Sequence, residues 1–180
     1  LFKINYLAFF MKFSRFGFSE IIAKNSSKKV FLGFMDGYTG TDYLKGSFTG
    51  DLDKIKLKLL TRVLDISDIL SECMEFDNLY VLSGVKNFIY RREYGMDDVE
   101  FLVNILSQNF DVVILDAGCN IESALCLGSL CATKNRYLIT TPQSKSLTNF
   151  NIIYAVLDKL YLNSFSLITQ VSQPSCWPEP

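Results

Sequence analysis

The run Asp111-Val-Val-Ile-Leu-Asp116-Ala-Gly118 puts a carboxylate at the end of four branched apolar residues and follows it at once with small ones. An apolar run this short, bounded by polar and turn signals, reads as a strand buried on both faces. In an open parallel sheet, ligands bind in the crevice beyond the carboxyl ends of the strands. An acid there can hold a metal ion or order a water molecule. Asp116 is therefore the first candidate for chemistry, and its plain alternative is an Asp that ends a strand and caps the next helix. The chain has no histidine, which removes the commonest general base and the commonest transition-metal ligand. Zinc hydrolases and Ser-His triads are thereby excluded. The cysteines (Cys73, Cys119, Cys126, Cys131 and Cys176) are odd in number and show no CxxC spacing, so neither a disulfide framework nor a zinc knuckle is indicated. They read as reduced, mostly buried thiols of a cytoplasmic protein. Cys119, next to Asp116, has no histidine or neighbouring lysine to activate it and reads as structural.

These residues need a scaffold, and 180 residues of which 49% are apolar suffice for one domain with a substantial core. With 18 basic and 19 acidic residues, no general attraction to nucleic acid or anionic lipid is implied. Lys54, Lys56 and Lys58, and the pair Arg91-Arg92, read as solvated surface charges, the alternative being a partner or DNA surface. The Phe-rich N-terminal segment has its longest uncharged stretch between Lys3 and Lys12, far short of the roughly 20 residues a spanning helix needs. It also lacks the small-residue cleavage site of a secretory signal. Because the sequence opens on Leu1, inside what looks like an element, its natural beginning is expected to lie upstream.

Along the chain, about Asn5 to Ala23 reads as a helix whose Phe-rich stretch serves core and dimer contacts, followed by the turn Asn25-Ser26-Ser27-Lys28. Val30 to Met35 reads as a buried strand and Asp36-Gly37-Tyr38-Thr39-Gly40 as a loop, continued by a polar, Gly-bearing region to Gly50. Helical patterning returns at Asp51 to Leu60 and Ile66 to Glu72. Leu79 to Leu82 is a short strand ending on Ser83-Gly84. Met96 to Ser107 is a helix, with Asp97 and Asp98 suited to its first turn. After the strand that ends at Asp116 come a helix at Ser123 to Cys131, a strand at Tyr137 to Thr140, a helix at Leu147 to Leu160 and a strand at Phe165 to Val171. Such alternation implies an α/β domain over residues 1–172, a three-layer sandwich with a central, mainly parallel sheet. The tail, residues 173–180, holds three of the four prolines and reads as irregular.

Asn109-Phe-Asp-Val-Val-Ile-Leu-Asp116, then small residues, a helix, Arg136-Tyr-Leu-Ile-Thr-Thr-Pro142 and another helix resemble the second half of the MinD/ParA-type P-loop ATPases. The resemblance is nearest to the CpaE-like bacterial branch and extends over about Ile4 to Val171. Lys29-Val-Phe-Leu-Gly-Phe-Met-Asp36 resembles that family's acid-bearing strand, Leu79-Tyr-Val-Leu-Ser-Gly84 the strand before its long helix, and Asp116 its Walker B position. The resemblance implies a cytoplasmic homodimer that closes over ATP and Mg2+. In it, Asp116 holds the metal through water, Asp36 positions the attacking water, and Gly118 lets the backbone approach a terminal phosphate. It also implies a protein partner in a larger assembly, while the charge indicates neither DNA nor membrane contact.

The departures are specific. The family's phosphate loop ends Gly-Lys-Ser/Thr, because bare amides and a lysine cradle the phosphates while a hydroxyl reaches the magnesium. No such motif occurs here. With Leu7-Ala8 taken as the start of the first helix, Ile4 stands at the lysine position and Asn5-Tyr6 at the hydroxyl positions. The first strand and phosphate loop are then expected to be missing, by truncation or by degeneration. Phe34 replaces one of the family's two early acids, Ala117-Gly118-Cys119-Asn120 replaces its Pro-rich turn, and Thr169-Gln170 replaces its adenine-contacting Asn. The expected function is an ATP-dependent switch for positioning or assembly, impaired in nucleotide binding. The alternatives are a catalytically inactive interaction module of the same descent, and a phosphoacceptor receiver.

Overall fold

Strands with no polar face belong in the middle of a sheet, and two segments qualify. Val30–Phe34 (β2) and Val112–Gly118 (β5) are buried at every residue. They pair in parallel, Val30 opposite Val112 and Phe34 opposite Asp116. In the computed structural model, residues 6–10, 15–35, 50–87, 89–118, 120–140, 143–162 and 165–168 are described. Alternate residues of β5 serve opposite faces, as the strand period requires. Val113 and Leu115 join a core with Phe31, Met35, Leu52, Ile69, Leu102 and Leu106, whereas Val112 and Ile114 join a second with Val30, Leu32, Leu79, Val81 and Ala23.

Around this pair the described sheet has seven strands in the order β3-β4-β2-β5-β1-β6-β7. The others are β1 (Tyr6–Phe10), β3 (Met74–Phe76), β4 (Leu79–Leu82), β6 (Asn135–Thr140) and β7 (Phe165–Ile168). All pairings are parallel except β3 with β4. The helices are α1 (Arg15–Asn25), α2 (Leu52–Leu60), α3 (Ile66–Glu72), α4 (Met96–Asn109), α5 (Ala124–Ala132) and α6 (Ser144–Lys159). One core holds residues of α2 to α5 and a second takes Ala23 of α1. A third joins α5 and α6 to β6 through Cys126, Leu130, Leu138, Ile153 and Leu157. This is the expected three-layer α/β sandwich.

One expectation is overturned. Tyr6–Phe10, read as the start of a helix, is a strand between β5 and β6, and the helix begins at Arg15. A strand therefore precedes the first helix within this chain. Five consecutive apolar residues rich in aromatics suit a buried strand. Met11, Phe13, Phe16 and Phe18 continue the apolar character beyond it, and that masks the boundary. The receiver reading also loses ground, since such domains order their strands 2-1-3-4-5 and this sheet does not.

The start of α2 is fastened to the carboxyl end of β4. Leu52 donates its N–H to the Ser83 carbonyl at 3.1 Å, and the Tyr94 hydroxyl donates to the Leu52 carbonyl at 3.1 Å. Asp51 caps the helix by accepting from the Lys54 N–H and pairs with Lys86 at 2.9 Å. Asp53 accepts from the N–H groups of Lys86 and Asn87 at 3.0 and 2.9 Å. Gly50 presses so closely on the end of α3 that a Cβ would lie 1.8 Å from the Glu72 carbonyl oxygen. Gly50→Ala is expected to lower unfolding stability by about 2–4 kcal/mol, because backbone rather than a flexible side chain must yield. Urea titration reads the shift.

Burial raises the Tyr94 hydroxyl well above its ordinary range, helped by Asp53 and Asp51, and lifts the Cys73 thiol to about 12. Both groups are neutral when protonated and have raised folded-state values, so their stabilisation is complete below the unfolded values. It fades as pH climbs past about 9 to 10. Stability should therefore stay level up to that range and fall above it, and Tyr94→Phe should flatten the fall. Thermal unfolding across an alkaline pH series measures both.

Candidate functional site

The chain runs from β1 outward to β2 and β4, returns to β5 beside β1, and then leaves the other way to β6 and β7. The direction reverses where β5 and β1 lie side by side, and such a switch point opens a crevice at the carboxyl ends of the strands. Asp116 stands there, opposite Phe9 of β1 and Phe34 of β2. It is only 5% exposed. Its Oδ1 accepts the Gly118 N–H at 2.9 Å, and its carbonyl accepts the Met35 N–H at 2.7 Å. Asp116 thus ties the ends of β2 and β5 together while holding its own downstream backbone.

Gly118 is the described glycine with positive φ, at 72°. A side chain would be strained in that conformation. It sits where β1 and β5 slip out of simple register, between the partners of Phe9 and Phe10. Asp116 and Gly118 are therefore joined in one structural unit. Asp36 and Cys119 lie outside the described residues, as do Ile4, Asn5, Thr169 and Gln170. Met35, immediately before Asp36, is the residue hydrogen-bonded to Asp116.

The loop after the first strand of a P-loop fold carries the phosphate motif. Here the sequence between β1 and α1 is Met11-Lys12-Phe13-Ser14, outside the described residues, and Arg15-Phe16-Gly17-Phe18-Ser19 opens the helix. The alignment that put Ile4 at the lysine position is corrected, because Tyr6 already belongs to β1. The lack of a Gly-Lys-Ser/Thr triplet stands in any register.

Sequence reasoning missed the acidic fastening of α2, where Asp51 is buried and paired. A signal existed in Asp51 directly before an apolar-periodic run, the usual place of a helix cap. The three alternating lysines of α2 are all engaged, Lys54 with Glu72 at 3.2 Å, Lys56 with Glu93 and Lys58 with Asp68. They form intramolecular ion pairs rather than an open cationic strip. Cys73 and Cys131 are free thiols, Cys131 exposed, and Cys126 is buried. Among the described residues no three metal-binding side chains gather, and no helix is long and apolar enough to cross a membrane.

The architecture is that of the ParA and MinD ATPases. The chain is similar to a ParA family ATPase from Chlorobium tepidum TLS, with a TM-score of 0.72 and 16% identity over 93% of this chain and 74% of that one. It is similar also to the septum site-determining protein MinD from Pyrococcus horikoshii OT3, solved with Mg-ADP, with a TM-score of 0.66 and 14% identity over 95% of this chain and 72% of that one. The kinase domain of the Escherichia coli tyrosine kinase ETK shares the fold as well, at a TM-score of 0.71 and 12% identity over 99% of this chain and 72% of that one. No protein-family model matches the sequence, and no curated protein matches it.

Asp116→Ala should leave the sheet intact but cost about 1–3 kcal/mol, since the buried Gly118 N–H loses its acceptor. Asp116→Asn should recover part of that, because its amide oxygen can still accept. Neither variant is expected to retain any magnesium-dependent nucleotide binding. Denaturant midpoints and a Mg-ADP titration of both variants test this assignment, which wild-type stability together with unchanged metal dependence would overturn.

Proposed function

We propose that this chain is a MinD/ParA-like, ATP-dependent switch of the CpaE-like kind, weakened in its grip on nucleotide, that works as a homodimer to position or regulate a larger protein assembly. The observation that carries this reading is the carboxylate of Asp116 at the switch point of a ParA-like sheet. The donor set suits magnesium. That ion is commonly held by one or two carboxylates and completed by waters and phosphate oxygens, so Asp116 suffices as the protein's contribution. Gly118 would lie along the phosphates and Asp36 would position the attacking water. Phosphoryl transfer of this type rests mostly on positioning and electrostatics.

The triphosphate is less well served. Met11-Lys12-Phe13-Ser14 offers one cation and no glycine where the fold needs bare amides. An ion pair at an effective dielectric near 20 is worth about 4 kcal/mol, so lacking the motif's lysine weakens binding by roughly a hundredfold or more. The absence of Gly-Lys-Ser/Thr favours a second reading, a catalytically inactive interaction module of the same descent. In either case the paired lysines of α2 supply no cationic surface for DNA or lipid.

Calorimetric titration with Mg-ATP, followed by light scattering with and without nucleotide, separates the readings. The switch predicts binding no tighter than millimolar, hydrolysis near background and a dimer that strengthens at saturating ATP. A self-association indifferent to ATP supports the inactive module, and micromolar binding would show that the phosphate grip is intact.

A further inference from the structure

We propose that the N-terminus of α5 is an oxyanion site that takes a phosphoryl group. The starts of α2, α3 and α4 are each served by a carboxylate, from Asp51, Asp65 and Asp98 respectively. At α5 the capping position belongs to Ser123, whose side chain makes no capping bond. Ser123 is only 8% exposed, and its Oγ is buried with no hydrogen-bond partner. A buried hydroxyl in that condition costs about 1–3 kcal/mol of desolvation with nothing in return. The first-turn N–H groups of Ala124 and Leu125 have no acceptor within the helix by construction, and Leu125 is fully buried.

Two donors of the preceding turn are already engaged. Ser123 N–H donates to the Asn120 carbonyl at 3.0 Å, and Glu122 N–H donates to Asn120 Oδ1 at 3.2 Å. That leaves the Ser123 hydroxyl and the amides of Ala124 and Leu125 as donors at the positive end of the helix dipole, a setting that favours an anion. Ala124 is half-buried, between the buried Ser123 and Leu125. The site follows β5 at the same carboxyl edge as Asp116 and shares no residue with the β1–α1 connection. Only the choice of a phosphoryl group over other oxyanions rests on the switch reading above.

The test is thermal unfolding and calorimetry of the whole 180-residue chain with inorganic phosphate, and separately with ADP free of magnesium. Phosphate should raise the wild-type melting temperature with concentration. Ser123→Ala should bind phosphate about tenfold more weakly, the loss of one hydrogen bond, yet melt no lower than wild type in its absence. Ser123→Thr should keep the response. Ala124→Pro deletes one amide donor at a helix position where proline is tolerated. Ser123, at φ −77° and ψ 132°, already has the backbone a residue before proline adopts, so this variant should fold normally and lose affinity. No phosphate effect in wild type, an equal effect in Ser123→Ala, or a lower melting temperature of Ser123→Ala in plain buffer would each overturn the site. ADP stabilisation without any phosphate response would refute the site and leave the switch reading standing. A phosphate response in a chain that shows neither Mg-ATP binding nor an ATP-strengthened dimer would support the site and count against the switch reading.

Discussion

Burial of β5 on both faces along its length is the constraint from which the rest follows. A strand with no solvent face must have neighbours on both edges and helices on both sides, since any uncovered N–H or carbonyl would be stranded. β2 and β1 supply the edges, and helices packed into the flanking cores cover the faces. The one carboxylate on β5 lies two residues before the strand's last residue, and its oxygen meets the Gly118 amide rather than a hydrocarbon wall. The position of Asp116 is thus a consequence of sheet burial as much as of chemistry.

That logic explains why some elements were readable in the sequence. β5, α3 and β4 announce themselves through short apolar runs, capping acids and a polar turn, signals that are local and agree with their tertiary setting. Asp65 followed three residues later by Asp68 closes a reciprocal cap on α3, an arrangement of side chain and backbone that needs no distant partner. Asp116 was legible for the same reason, although the strand read as ending on it runs on to Gly118.

β1 resisted because its signals are not local. β1 is apolar, but so are Met11, Phe13, Phe16 and Phe18 beyond it, so neither a period of two nor one of 3.6 separates strand from helix. The distinction is made by pairing with β5 and β6, contacts more than 100 residues away in sequence. β3 was missed for a different reason. It is three residues long and only partly buried, and it owes its existence to an Asp77-Asn78 turn with Asp77 at φ 53°, a hairpin signal of the Asn/Asp type. The fastening of α2 escaped because Asp51, Asp53, Lys86 and Tyr94 are distant in sequence and meet only once β4 and α4 are in place.

Fold and function part company at the phosphate grip. The same sheet supports ATPases and a tyrosine kinase, so architecture alone does not choose a reaction. What chooses is the set of groups that meet the charge of the ligand. In the reading proposed for this chain the acid side would be Asp116, while no Gly-Lys-Ser/Thr occurs in the sequence. Asp116 has also committed one oxygen to Gly118. That bond has a further consequence for any nucleotide. A phosphate that sought the Gly118 amide would have to take it from Asp116, exchanging one charged acceptor for another inside a buried edge. With no lysine in the motif to favour the incoming phosphate, that exchange gains little. The sequence departure and the hydrogen bond between Asp116 and Gly118 then act in the same direction, against a tight hold on phosphate at this edge of the sheet.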